Sequence, residues 1–157
     1  MDEFGTPYTQ DPLDLKYMQL AIEEANKSEP VEKAYCVGAC LVNESRNEIL
    51  STGYSRELPG NTHAEQCALM KLSDPTLAEG ATMYTTMEPC SIRLSGNTPC
   101  IENIIKYKIP RVVIGVREPP NLVTCQGVQL LEQQGIKVFI VPGVQEACLA
   151  PNNHILQ

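Results

Sequence analysis

The stretch RVVIGVREPPNLVTCQGVQLLEQQGIKVFIVP, residues 111–142, decides the fold. It opens on RVVIGV and closes on KVFIVP, two β-branched runs, and between them VTCQGVQLLEQQG has the spacing of a helix closed by Gly135. Strands joined through a helix-length crossover run parallel, and the crossover is right-handed. Working back along the chain, PCIENIIKYK (99–108) reads as a helix with proline in its first turn, and ATMYTTM (81–87) as a strand. HAEQCALMKL (63–72) reads as a helix stopped by Asp74-Pro75.

Earlier still, YCVGACLVN (35–43) and EILSTGYS (48–55) form an antiparallel hairpin with its turn at Ser45 to Asn47. Leu13, Tyr17, Leu20, Ala21 and Ala25 recur at helical steps, giving an amphipathic helix to about Ser28, with Asp11 or Asp14 near its start and Pro30 beyond its end. Residues 1–12 lack periodicity and are expected to be a surface arm. The order is αββαβαβαβ, a five-stranded mixed sheet with helices on both faces: an α/β fold of three layers. After Pro142, Val144 to Ala150 has the pattern of a short helix, and His154 reads as a surface histidine.

The 157 residues are enough for one domain with a real core. Twelve basic against nineteen acidic residues, a net charge of -7, disfavour phosphate backbones and anionic lipid, so neither nucleic acid nor membrane is an expected partner. No apolar run approaches the roughly eighteen residues of a spanning helix, and no leader pattern is present, so a cytoplasmic location is expected. Seven cysteines without an export signal point to buried thiols or metal ligands rather than a disulfide framework. Cys36 and Cys40, four apart, are expected on one strand face, and Cys67 is the one plausible extra ligand.

Chemistry concentrates in NTHAEQCAL and MEPCSIRLSGNTPC (87–100). His63 opens one helix, Cys100 opens another, and Cys90 lies in the loop after a strand. One imidazole and two thiolates suit zinc, and three protein ligands leave the open fourth position of a catalytic rather than a structural site. Glu65, in the first turn of the helix begun by His63, is placed to shuttle protons.

His63-Ala64-Glu65 with Pro89-Cys90 and Cys100 resembles the signature of the zinc deaminases. From about Leu13 to Val141 the chain is similar to the cytidine-deaminase superfamily, which implies a cytidine deaminase-like α/β/α sandwich over 13–157. Most members have two residues between the cysteines, and here there are nine. That long loop resembles the pyrimidine deaminases of riboflavin biosynthesis, and GYSRELPGNTHAEQCAL with TTMEPCSIRLSGNTPC is most similar to the fungal form. The resemblance implies Zn2+, Glu65 as catalytic acid and base, and hydrolytic deamination of 2,5-diamino-6-ribitylamino-4(3H)-pyrimidinone 5'-phosphate. It also implies a homodimer or homotetramer.

Expected substrate contacts are Arg56, Asn61 and Ala64 beside the metal helix, and Ser91, Arg93, Ser95, Asn97 and Thr98 in the loop. Two departures from the bacterial enzymes stand out. Those carry a reductase domain after the deaminase, whereas this sequence stops about fifteen residues after its last strand, so deamination alone is expected. Their Pro-Asn-Pro segment is replaced by KAYCVG (33–38), so no asparagine contact transfers to Ala34. A deaminase of cytosine, guanine, cytidine or tRNA adenosine would share the metal chemistry. A structural zinc module or an inactive subunit is the non-enzymatic alternative.

Overall fold

The computed structural model describes residues 1–31, 34–90, 99–117 and 126–156. The chain runs α1 (Pro12–Ala25), β1 (Gly38–Val42), β2 (Ile49–Tyr54), α2 (Ala64–Met70), β3 (Thr82–Met87), α3 (Cys100–Lys106), β4 (Arg111–Val116), α4 (Gly127–Gln133), β5 (Lys137–Ile140), α5 (Gln145–Leu149) and α6 (Asn153–Leu156). The strands lie in the order β2-β1-β3-β4-β5. β1 is antiparallel to β2 and to β3, and β3, β4 and β5 are parallel. The expected crossover is present, with Arg111 opposite Lys137 and Ile114 opposite Ile140. Residues 123–125, expected to start its helix, lie outside the described residues. A 3-10 turn at Pro75–Ala78, with Asp74 as its cap, follows α2 where only a stop was expected.

Alternating residues of the central strands face opposite layers. Ala39, Leu41, Met83, Val112, Ile114 and Val138 pack with Ala64 and Leu69 of α2, Ile101 and Ile104 of α3, and Val128 and Leu131 of α4. Cys40, Val42, Tyr84 and Val113 pack with Tyr17, Met18 and Ala21 of α1 and with Val144 and Cys148. The sheet is thus covered on both faces, which is why β1 and β3 are buried along their whole length. Truncating a residue such as Ile104 or Leu131 to alanine would cost about 2–5 kcal/mol.

Two glycines set how closely helices lie on the hairpin. A β-carbon at Gly38 would fall 1.8 Å from the Ala21 carbonyl oxygen of α1, and one at Gly53 would fall 2.2 Å from that of Ala64 in α2. Helix backbone therefore touches strand backbone on each face.

Helix α1 begins where Asp11 accepts the Leu13 N–H (2.9 Å) and Pro12 supplies a helical φ. In its first turn Asp14 is fully buried. Its carboxylate takes both ends of the Arg111 guanidinium (2.9 and 2.6 Å), the Thr9 hydroxyl (2.6 Å) and the Tyr84 hydroxyl (2.5 Å). Arg111 also lies over the Phe139 ring. Burial alone would raise the Asp14 carboxyl, but these donors outweigh it and hold it at about 2.

The N-terminal dozen residues are laid against the sheet. Ile140 donates to the Pro7 carbonyl and accepts from the Thr9 N–H, both at 3.0 Å, so Tyr8 pairs in parallel with β5. Backbone pairing of this kind needs no side-chain period, which is why the segment carries no pattern. Cys36 lies ahead of β1 rather than sharing a strand face with Cys40. Its N–H and carbonyl are both held by the Asn152 amide (2.5 and 3.1 Å), and His154 Nε2 meets the Val31 carbonyl at 2.8 Å. The segment after Pro142 therefore ties down the entry to β1.

Candidate active site

Helix α2 starts at His63, whose extended backbone turns the chain in and whose N–H is accepted by Gln66 (3.3 Å). Helix α3 starts after Pro99, which has no side chain able to cap it. Cys90 fills that role: the Cys100 N–H points at Cys90 Sγ (3.1 Å) and the Ile101 N–H at the Cys90 carbonyl (3.2 Å). Two helix starts and the loop after β3 thus converge.

His63 Nδ1 lies 3.5 Å from Cys90 Sγ and 3.3 Å from Cys100 Sγ. The three donor atoms all fall within 4.8 Å of one another, the one such His/Cys/Asp/Glu group among the described residues. One ring nitrogen cannot satisfy two sulfurs with a single proton, whereas a shared cation satisfies all three. Tetrahedral zinc with Zn–N of about 2.0–2.1 Å and Zn–S of about 2.3 Å sets N···S separations near 3.6 Å, close to those observed. The donor set fits zinc in type and in spacing. Cys67 is fully buried beneath Gly53 and is not part of the group, so the fourth position has no protein ligand among the described residues.

The Cys90 thiol is held well below its ordinary value. The hydrogen bond with Cys100 contributes most, and His63 and the Cys100 N–H add to it against the opposing effect of burial. Glu65, 3% exposed, is pushed up to about 7, first by burial and then by the Cys90 charge, with His63 and Cys100 pulling the other way. A carboxyl with that value exchanges protons readily near neutrality. It sits within the reach of the ligand set that the sequence assigned to it.

Of the expected substrate contacts, Ser91, Arg93, Ser95, Asn97 and Thr98 lie outside the described residues. Ala64 is buried in the first turn of α2, and Asn61 is exposed with a left-handed φ of 58° in the loop before His63. Arg56 also has a left-handed φ, 64°. Its guanidinium binds the Ser28 hydroxyl (2.9 Å) and the carbonyls of Glu29 (2.8 Å) and Tyr35 (3.3 Å), tethering the β2–α2 loop to the segment between α1 and β1. Glu88, which sequence reasoning passed over, is buried beside Cys90 and accepts the Val128 N–H. Its one sequence signal is its place directly before Pro89-Cys90.

Residues 12–116 match the family described as the cytidine and deoxycytidylate deaminase zinc-binding region. The diaminohydroxyphosphoribosylamino-pyrimidine deaminase of Schizosaccharomyces pombe is 49% identical over 146 residues, 91% of this chain and 35% of that protein. The riboflavin biosynthesis protein RibD of Aquifex aeolicus is 36% identical over 140 residues, 86% of this chain and 36% of that protein. The chain thus spans about a third of the length of these relatives. A crystal structure of Aspergillus oryzae Rib2 deaminase, a C-terminal deletion mutant in complex with DARIPP, superposes with a TM-score of 0.76 at 36% identity, covering 88% of this chain and 89% of that one. With its fold, its ligand triad and these relatives in agreement, the chain belongs to the zinc-binding cytidine and deoxycytidylate deaminase family and within it is similar to the pyrimidine deaminases just named.

Proposed function

We propose that this protein is a zinc-dependent deaminase that converts 2,5-diamino-6-ribitylamino-4(3H)-pyrimidinone 5'-phosphate to 5-amino-6-ribitylamino-2,4(1H,3H)-pyrimidinedione 5'-phosphate with release of ammonia. The observation that carries it is the convergence of His63, Cys90 and Cys100 beside Glu65, whose carboxyl is pushed up from its ordinary value by burial. The ribityl form rests on the resemblance of GYSRELPGNTHAEQCAL and TTMEPCSIRLSGNTPC to the fungal form, whereas the name of the Schizosaccharomyces pombe relative gives the phosphoribosylamino compound.

His63, Cys90 and Cys100 would hold the zinc, which when bound supplies Lewis-acid activation of water near neutral pH. Glu65 accepts a proton from the attacking water and delivers it to the ring nitrogen beside C2. Glu65 then takes the proton of the new C2 hydroxyl and hands it to the departing amino group, so water and the C2 amine become a C2 carbonyl and ammonia. The buried wall around Glu65 keeps bulk solvent from competing for that proton. Asn61, Ala64, Arg56 and the loop residues Ser91, Arg93, Ser95, Asn97 and Thr98 are proposed to orient the ring, ribityl chain and phosphate. On the resemblance alone the working unit is a homodimer or homotetramer in the cytoplasm. No helix among the described residues is long and apolar enough to cross a membrane.

The test is ammonia release by the zinc-loaded protein given the ribityl and ribosyl diaminopyrimidinone phosphates, cytosine and cytidine, with Glu65→Ala as control. Turnover of the ribityl form alone, lost in the control, is expected. Turnover of the ribosyl form would reverse the assigned order of steps. Activity confined to cytosine or cytidine would overturn the substrate and leave the metal chemistry in place.

A further inference from the structure

Of the three metal-ligating residues, Cys90 alone lies on a connection rather than at the start of a helix, so contacts outside regular structure must fix its thiolate. Besides the Cys100 and Ile101 N–H groups that meet Cys90 itself, three contacts hold the two residues before it. The Glu88 N–H donates to the Val116 carbonyl (2.9 Å), carrying the β3–β4 ladder one step past Met87. The Pro89 carbonyl oxygen lies where a β-carbon at Gly127 would come within 2.1 Å, so glycine lets α4 close on the loop. The third contact is the Glu88 side chain, which accepts the Val128 N–H in the first turn of α4 (3.1 Å).

That side chain is 3% exposed, and its carboxylate stands 3.8 Å from Arg117 Nη1. Arg117 is itself fixed from behind. Its Nε donates to Asp2 (2.7 Å), its other arm to the Thr6 hydroxyl, and the guanidinium lies over the Phe4 ring at 4.5 Å from the centroid. A buried carboxylate is retained at a cost that an apolar residue would avoid, and here it gives what an apolar residue cannot, an acceptor for a backbone N–H across a gap between two elements.

We propose that Glu88 is a positioning residue of the metal centre. Its hydrogen bond to Val128 locks Pro89 and Cys90 onto α4 and so sets the Cys90 thiolate at its distance from His63. Arg117, with Asp2 to Thr6, braces the carboxylate. The inference rests on the zinc reading above but not on the substrate, since the zinc ligands and their spacing are properties of the protein alone.

The experiment compares the wild type with Glu88→Gln, Glu88→Asp and Glu88→Ala. Zinc affinity is measured by competition with a chromophoric chelator, and the Cys–Co(II) charge-transfer and d–d bands are recorded on cobalt-substituted protein without substrate. Glutamine keeps an acceptor at the same reach and loses the charge, whereas aspartate keeps the charge and falls one carbon short. Positioning predicts that Glu88→Gln binds zinc within about threefold of wild type with unchanged cobalt bands, while Glu88→Asp and Glu88→Ala bind about 10–100-fold more weakly with shifted bands. If Glu88→Ala does not fold, the Gln and Asp pair decides. Aspartate matching wild type, or glutamine failing as badly as aspartate, overturns the proposal, and so does a lower melting temperature with zinc affinity and cobalt bands unmoved. A wild-type chain that binds neither metal overturns both this inference and the zinc reading, whereas inactivity on the proposed substrate with intact metal binding touches only the function.

Discussion

Asp14 and Glu65 are both carboxylates buried in the first turn of a helix, one on each face of the same sheet. Asp14 is ringed by the Arg111 fork and two hydroxyls and is held at about 2. Glu65 is buried beside the Cys90 sulfur, with only its own backbone N–H, Cys100 and the His63 charge opposing, and is pushed up to about 7. Helix position and burial are the same, so neither decides whether a buried acid is structural or chemical. The partners around it decide: a carboxylate given a guanidinium and two hydroxyls is locked as an anion, and one given weaker donors beside a thiolate is left able to trade protons.

The largest effects should separate the two acids completely. Glu65→Gln is expected to lower kcat by about 10²–10⁴-fold while leaving the denaturation midpoint and zinc content near wild type, as read by ammonia release, urea melts and metal analysis. Asp14→Asn should do the reverse. It leaves the half-buried Arg111 without its counter-charge and should cost about 1.5–3 kcal/mol in urea unfolding, with kcat of the folded fraction unchanged. A loss of turnover in folded Asp14→Asn would end the division of roles.

The glycines offer a finer version of the same contrast. Gly53→Ala pushes on α2, which carries Glu65 and follows His63, whereas Gly38→Ala pushes on α1. Each should lose about 1–3 kcal/mol of stability from overpacking, but only Gly53→Ala should also lower kcat or zinc affinity. Equal kinetic damage from both would show that the sheet transmits strain between its faces.

Acid titration gives the smallest effect. The Asp14 carboxyl falls from an ordinary 3.8 to about 2 on folding, so it contributes about 2 kcal/mol of stability above pH 4 that is lost as the pH drops towards 2. Urea midpoints followed across that window should fall more steeply in wild type than in Asp14→Asn. Parallel slopes would assign the acid sensitivity to other carboxylates.

Local pattern made much of this molecule legible. The strand–helix–strand run of residues 111–142 and the hairpin of 35–55 announce themselves by period and turn residues, and His63, Cys90 and Cys100 by ligand chemistry at element starts. What stayed hidden depends on partners far apart in the chain. Nothing near Asp14 signals Arg111, 97 residues on, and nothing near Cys36 signals the Asn152 amide. Nothing near Arg56 signals that its guanidinium meets the Ser28 hydroxyl and the carbonyls of Glu29 and Tyr35, since backbone acceptors are not displayed by a sequence. Glu88 escaped notice for the same reason, its partner being a backbone N–H in α4.

The pairing of Tyr8 with Ile140 matters for handling the protein as well as for its fold. Without residues 1–10 the outer rim of β5 would present bare N–H and C=O groups next to Val138 and Ile140, a template onto which another chain can add a strand. A preparation trimmed at its amino end by a protease should therefore turn turbid on standing at concentrations where the intact protein stays clear, and light scattering would follow the change.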